Sequence, residues 1–350
     1  VPPAGLQAGI AASGAFFVSE RSANIQEVAE AAGVSVATVS RTLQFPERVA
    51  VETKERVRAV IAQLNYVPNA QARNLRRSRT GLVVALVPDI SNPFFSGVIR
   101  GIEAVAKQNG YSVLLGETQY EPEREQRYGD MITSREADGL ITLLPRIPRI
   151  NTTGRLPVVN ACETVDDSAI ATVLVDNFTA MRDAMRYLLA LGHRHIAYVG
   201  GPSDSPLTIE RQRGYTAALA EAGIERDPHL TVEGGFSLEQ GGRAAELILS
   251  YGAKLTAFVC ASDELAIGVL RTLRMRGISV PAQMSIIGFD DITFARYTEP
   301  PLTTVAQPRE ELGREAMLML LQILGDPAIP ARRTILPTQL ILRGTTGPAP

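Results

Sequence analysis

Tryptophan is absent from this chain, and cysteine and histidine are scarce, with two and three residues among 350. Neither type is clustered, so a zinc or iron–sulfur site has no support and no metal is expected. Cys162 and Cys260 each close an apolar run without CxxC spacing; they read as buried free thiols of a reducing compartment, not as a disulfide. His193 and His195 fall in "LGHRHIAYVGG", at a helix-to-strand turn remote from the strand carboxyl ends, which suits structural roles. No stretch reaches the roughly 18–20 apolar residues of a membrane-spanning helix. Residues 1–22 include the apolar "GIAASGAFFV" but no positively charged leader, and they read as a disordered tail on a cytoplasmic protein. "GGPSDS" and "VEGG" lack the spacing of a P-loop or a dinucleotide fingerprint, and no nucleophile–base set stands out. An enzyme and a bound cofactor are therefore not expected.

What is present is ordinary in bulk and uneven in distribution. The chain is 45% hydrophobic and 21% charged, as in a globular protein, and its length allows two or three domains. Residues 21–80 carry ten Lys/Arg against five acids, a local charge of +5 in a chain whose net charge is −2. A small basic module on a large acidic body places polyanion binding near the N-terminus.

In "NIQEVAEAAGVSVATVSRTLQ", Asn24 can cap a helix that puts Ile25, Val28, Ala29 and Ala32 on one face. Gly33 supplies the turn. Ser35 caps a second helix with Val39 and Leu43 inward and Val36, Ala37, Thr38 and Arg41 on the other side. This is a helix-turn-helix, whose second helix enters the major groove. Val36 and Ala37 offer apolar contacts to a thymine methyl, whereas Arg41 can take a guanine O6/N7 pair. A third helix with Val57, Val60, Ile61 and Leu64 closes the core, and Thr53 and Lys54 can reach phosphates. "YVPNAQARNLRRSRTG" follows, too short for a helix that persists alone. Arg73, Arg76, Arg77 and Arg79 in it are available to phosphates.

After Gly81, apolar runs such as "LVVALVP", "YSVLLGE", "DGLITLL", "LPVVN", "HIAYVGG", "LTAFVCAS" and "SIIGFDD" alternate with amphipathic segments. Such alternation implies βαβ units, and about 270 residues fit two doubly wound subdomains. Ligands of open α/β sheets lie beyond the strand carboxyl ends. Candidates there are Asp89, Ser91, Asn92, Phe94, Phe95, Asn160, Asp176, Asp263 and Asp290, with Arg211 at a helix start. Flat rings, acceptors and a bidentate donor suit a polyhydroxylated or heterocyclic ligand. Asp176, Ser262 and Asp263 equally suit helix caps.

"QEVAEAAGVSVATVSRTL" and "RVAVETKERVRAVIAQLNYVPNAQARNL" resemble the DNA-binding headpiece of the LacI family of bacterial transcription regulators. "VPDISNPFFSGVIRGIEAVAKQNGY", "RQRGYTAAL", "IIGFDD" and "PPLTTVAQPREELGREAMLMLL" continue the resemblance to about Gly344. "PDISNPFF", "IRGIE" and "LILRGTT" are most similar to its cytidine-repressor subgroup. The resemblance implies an all-α headpiece (23–68), a hinge helix and linker (69–80), and a periplasmic-binding-protein-like α/β body (81–350). The body divides into one subdomain of 81–175 and 307–334 and another of 176–306 and 335–350. It implies a homodimeric, allosteric repressor of a catabolic or uptake operon on palindromic double-stranded operator DNA, with paired hinges in the minor groove and Leu75 wedged between base steps. Asn69, Ala70 and Ala72 match the family's hinge positions. Phe94, Phe95, Asp176, Arg211, Phe236 and Asp290 match its ligand contacts, and a nucleoside or related ribose-containing effector is implied, with a sugar as the alternative. Pro93–Asn109 and Glu264–Met275 are expected at the dimer interface. A solute-binding protein without regulatory role shares the body but lacks the headpiece, and a Rossmann-type enzyme is the third possibility.

Overall fold

The computed structural model describes residues 23–67, 79–152, 155–165, 167–252 and 254–350, and the chain divides into two compact units between Arg77 and Ser78. In the first unit, α1 (Ile25–Ala32) begins in a capping box. The Asn24 side chain accepts from the amides of Gln26 and Glu27 at 2.8 and 3.0 Å, and Glu27 accepts from the Asn24 amide at 3.0 Å. Gly33, at φ 62°, ends the helix in the left-handed conformation that glycine adopts without steric cost. Two residues on, Ser35 caps α2 (Val36–Gln44) by accepting from the Thr38 amide. Such a cap is worth about 1 kcal/mol. Together with α3 (Val51–Gln63), the two helices enclose Val28, Ala29, Ala32, Val39, Val57 and Tyr66.

One inward assignment changes. Leu43 is 38% exposed, and Thr42 is the buried residue of that turn. The Thr42 hydroxyl donates to the Thr38 carbonyl at 2.9 Å, which satisfies its polar atom inside the helix pair.

The second unit holds two six-stranded sheets. In the first, β1 (Leu82–Val87), β2 (Ser112–Glu117), β3 (Gly139–Thr142), β4 (Val158–Ala161), β5 (Ala171–Val175) and β11 (Arg333–Leu336) lie in the order β11-β5-β4-β3-β1-β2, every pair parallel. In the second, β6 (Ile196–Val199), β7 (Thr231–Val232), β8 (Ala257–Cys260), β9 (Ser285–Asp290), β10 (Thr303–Ala306) and β12 (Gln339–Ile341) run β12-β10-β9-β8-β6-β7, with only β12 antiparallel. The alternation along β1 shows why its run is continuously apolar. Val84 and Leu86 enter one buried cluster and Val83, Ala85 and Val87 another, as a parallel sheet covered on both faces requires.

Seven helices cover the sheets: α4 (Pro93–Gln108), α5 (Pro122–Thr133), α6 (Asn177–Ala190), α7 (Pro206–Glu221), α8 (Leu238–Ser250), α9 (Asp263–Met275) and α10 (Arg309–Gly325). Six of them pack in the pairs α4–α10, α6–α7 and α8–α9. Each pair is brought flush by glycine. A Cβ at Gly101 or Gly313 would strike the backbone of Glu310 or Val98, one at Gly214 that of Phe178, and one at Gly241 or Gly268 that of Leu265 or Leu238.

The chain passes between the sheets three times, after β5, after β10 and between β11 and β12. Ile335 and Leu336 therefore belong to the first sheet, where they pair with Leu174 and Val175. The expected boundary before residue 335 shifts to the β11–β12 link. Arg79, expected to face phosphate, is held on this unit by donating to the Leu324 carbonyl at 2.7 Å. Among the described residues, no helix is long and apolar enough to cross a membrane.

Candidate functional site

The carboxyl ends of both sheets face a common cavity of about 330 Å³. The first subdomain contributes Asp89, Asn92, Phe94 and Phe95 after β1, Tyr120 after β2, Leu143 after β3, and Cys162 and Glu163 after β4. The second contributes Leu207 and Arg211 from α7, Phe236 after β7, Ser262 after β8 and Asp290 at the end of β9, with Gln307 on the crossing that follows β10. Phe94, Phe95, Arg211, Phe236 and Asp290 are thus brought together from segments almost 200 residues apart.

Asn92 caps α4 by accepting from the Phe94 amide at 2.9 Å, which fixes two aromatic walls at the helix start. The rings of Phe94 and Phe95 meet edge to face, with centroids 5.3 Å apart and planes at 79°. Across the cavity the Phe236 ring lies against Gly201, where any Cβ would run into it.

Arg211 does not open its helix. α7 begins at Pro206, after Ser205, and Arg211 points inward from its second turn, 3% exposed. Its Nε donates to Asn177 Oδ1 at 2.9 Å, its Nη1 donates to the Ala261 carbonyl, and its guanidinium stacks 3.8 Å from the centre of the Phe289 ring. Burial lowers its basicity and the Asp290 charge raises it again. A guanidinium stays protonated in either case.

Asp290 is buried at φ 119°, a left-handed conformation that costs an aspartate of order 1–3 kcal/mol and persists only where surroundings enforce it. Gln307 donates to its Oδ1 at 2.7 Å. Burial pushes its carboxyl up to about 6, against the opposing pull of Arg211 and Gln307. Next to it, Asp291 accepts from Arg343 at 2.6 Å, and its carbonyl accepts from Arg309 at 2.8 Å. Arg309 also donates to the Pro93 carbonyl at 3.2 Å, so one guanidinium ties the two rims of the cleft.

Acids line the cavity and its mouth. Burial moves Glu163 up to about 8, with Arg211 and the Leu207 amide pulling it back. Burial likewise raises Glu264 to about 7, assisted by the charges of Asp290, Asp89 and Glu239. The Tyr120 hydroxyl is pushed upward by burial, then by Glu163, Asp89 and Asp204.

Four expected residues, Ser91, Asn160, Asp176 and Asp263, do not line the cavity. Ser91 is exposed, and its amide and hydroxyl both donate to Asp89 Oδ1, at 2.7 and 2.6 Å. Asn160 is fully buried in β4 and donates to the Leu144 carbonyl at 2.8 Å. Asp176 is exposed and caps α6 by accepting from the Thr179 amide, beside Phe178 in a separate groove. Ser262 caps α9, whereas Asp263 is buried and accepts from the Ile292 amide and the Thr304 hydroxyl. Sequence reasoning missed Tyr120, Cys162, Glu163 and Gln307. "NACET" and "QYEP" hold no pattern, and only position after a strand could have marked them. His193 is structural, with Nε2 donating to the Gly347 carbonyl and Nδ1 paired with Thr256.

In the headpiece, Ser35, Ala37 and Arg41 are exposed along α2, and Val36 and Thr38 are half-buried beside them. They form the continuous outer face of the second helix of the motif. Asn69, Ala70, Ala72, Arg73, Leu75, Arg76 and Arg77 lie outside the described residues.

A helix-turn-helix unit joined to a two-sheet body with a ligand cavity defines a transcription regulator of the class that couples DNA binding to a small molecule. The model for bacterial regulatory proteins of the lacI family matches residues 24–69, and that for the periplasmic binding protein-like domain matches residues 185–346. The HTH-type transcriptional repressor CytR of Escherichia coli (strain K12) is 39% identical over 335 residues, covering 95% of this chain and 98% of that protein. The ribose operon repressor of Haemophilus influenzae is 32% identical over 333 residues, covering 92% and 98%. The lac repressor dimer bound to operator and the anti-inducer ONPF has a TM-score of 0.81 at 28% identity, with 93% of this chain and 99% of that one covered. The chain belongs to the lacI family. It is a DNA-binding transcriptional repressor with an effector-binding body, and not an enzyme.

Proposed function

We propose that this repressor controls a catabolic or uptake operon as a homodimer on a palindromic operator, and that its effector is an uncharged nucleoside or related ribose-containing compound held between the subdomains. The observation that carries the effector assignment is the pairing of a buried donor fork, Arg211, with a buried acceptor, Asp290, between the Phe94–Phe95 wall and Phe236. Such a pair suits vicinal hydroxyls, since one oxygen can accept from the guanidinium while its neighbour donates to the carboxylate. The facing rings suit a flat heterocycle. The cavity size lies in the range usual for small-molecule sites.

Charge narrows the class further. With Asp89 and Asp290 in the lining, Arg211 is, among the described residues, the lone guanidinium there, and it is already engaged by three protein groups. A phosphorylated ligand would meet a repulsive field, so a free nucleoside fits better than a nucleotide.

Coupling to DNA follows from the cleft. A ligand held by residues of both sheets favours one angle between the subdomains, and the Arg309 tie across the rim makes that angle a discrete arrangement. The angle sets the spacing of paired hinges, whose residues lie outside those described. A thermal-shift panel of nucleosides, nucleotides, purine bases and sugars, with gel shifts on the operator upstream of the protein's own coding region, tests the reading. Stabilisation by a nucleoside and not by its monophosphate, with salt-sensitive operator retardation altered by that nucleoside, is expected. Stabilisation by a sugar alone would replace the nucleoside assignment.

A further inference from the structure

We propose that Glu163 is a specificity-determining residue that donates a hydrogen bond from a protonated carboxyl to an acceptor atom on the effector, such as a ring nitrogen or carbonyl of a nucleobase. The geometry carries this. Glu163 is 6% exposed in the cavity wall, directly after β4, and its Oε2 has no partner among the described residues. The Leu207 backbone amide lies near enough to the carboxyl group to favour its charged form, and Oε2 is an oxygen left without a partner. A proton carried on Oε2 has no acceptor among the described residues, so an atom of a ligand in the cavity that Glu163 lines can supply one.

A buried polar atom with no partner costs about 1–3 kcal/mol, and more when charged, so an orphan facing a ligand site indicates a ligand atom that completes it. The groups facing Glu163 decide its state. Arg211 and the Leu207 amide favour the anion, whereas burial favours the neutral form. Burial is the largest of these influences and places the titration at about 8, so the proton is in place at neutral pH.

The proposal rests on the nucleoside reading for the identity of the acceptor, and it is tested so that the two can fail separately. Infrared difference spectra between the parent and Glu163→Gln near neutral pH are expected to show a protonated-carboxyl band in the parent that the variant lacks. Absence of that band overturns the proposal whatever the ligand. Cytidine titrated into the parent is expected to bind with constant affinity up to about pH 8, then roughly tenfold more weakly per further unit as the free carboxyl ionises. Glu163→Gln keeps the acceptor and the donor, so it should bind within a few-fold of the parent with no such fall, while Glu163→Ala should bind at least tenfold more weakly. Affinity that rises with pH, or a Gln variant as impaired as the Ala variant, overturns the donor role. If the infrared band is present and no nucleoside stabilises the parent, the nucleoside reading fails while the proton on Glu163 stands.

Discussion

Arg211 is the residue through which the effector cavity is organised. It reaches from α7 to the α6 start through Asn177, to the end of β8 through Ala261 and to the β9 core through Phe289, so its position is set by three separate segments. Its charge holds Asp290 below the value that burial alone would impose. Removing it deletes the donor fork and takes from Asp290 the stronger of the two cations, Arg211 and Arg309, that act on it. Arg211→Ala is therefore expected to lose the effector's thermal stabilisation, which at a hundredfold excess over Kd amounts to about 2.7 kcal/mol in the parent. Operator affinity without effector should be unchanged, because the substitution lies outside the DNA-binding unit. Equal stabilisation of variant and parent would remove Arg211 from the binding site.

Among the elements, the helix pairs show what a single methyl group can do. Gly313 on α10 lies against the Val98 carbonyl of α4, with backbone and not a flexible side chain in the way. Gly313→Ala must push the helices apart, and overpacking of this kind costs about 1–3 kcal/mol. Gly325, at the end of the same helix, faces open space, so Gly325→Ala serves as a near-neutral control in urea denaturation. Comparable losses in both variants would show that close approach is not responsible, since alanine in place of glycine raises helix propensity.

The second element with a distinct role is α2. Ser35 and Thr38 bond to each other at its start, at 2.9 Å between hydroxyl oxygens, and Arg41 stands free of them one turn later. If Arg41 reads a guanine, Arg41→Ala costs about 1–3 kcal/mol on the operator and relaxes preference at one base pair per half-site. A uniform loss over all operator variants would instead make it a phosphate contact.

At the scale of the whole molecule, function is a coupling between two units. Linkage requires that an effector which weakens operator binding by some factor be bound more weakly, by the same factor, to the operator complex. Effector titrations of free protein and of the operator complex at one salt concentration should give matching factors. Factors that differ beyond error would mean that the effector does not act through the protein–operator equilibrium. Arg309→Ala, which removes the tie between Asp291 and Pro93, should change this coupling more than either separate affinity.

Much of this organisation is legible in the chain itself because it depends on local chemistry. The capping box at Asn24, the left-handed turn at Gly33, the continuous apolar runs of the inner strands and the basic bias of residues 21–80 each act over a few residues and leave a pattern. Strand-end position marked Phe94 and Asp290 as candidates, a helix-start reading marked Arg211, and the family resemblance pointed to all three. Only the folded structure decided that Ser91, Asn160 and Asp176 stand aside while Tyr120, Glu163 and Gln307 face the cavity, and that Ile335 and Leu336 close the first sheet before the chain crosses to β12. A capping oxygen and a ligand-facing oxygen are the same residue type at the same place after a strand. Which one a given side chain becomes depends on neighbours brought from distant segments, and on burial that no local stretch contains.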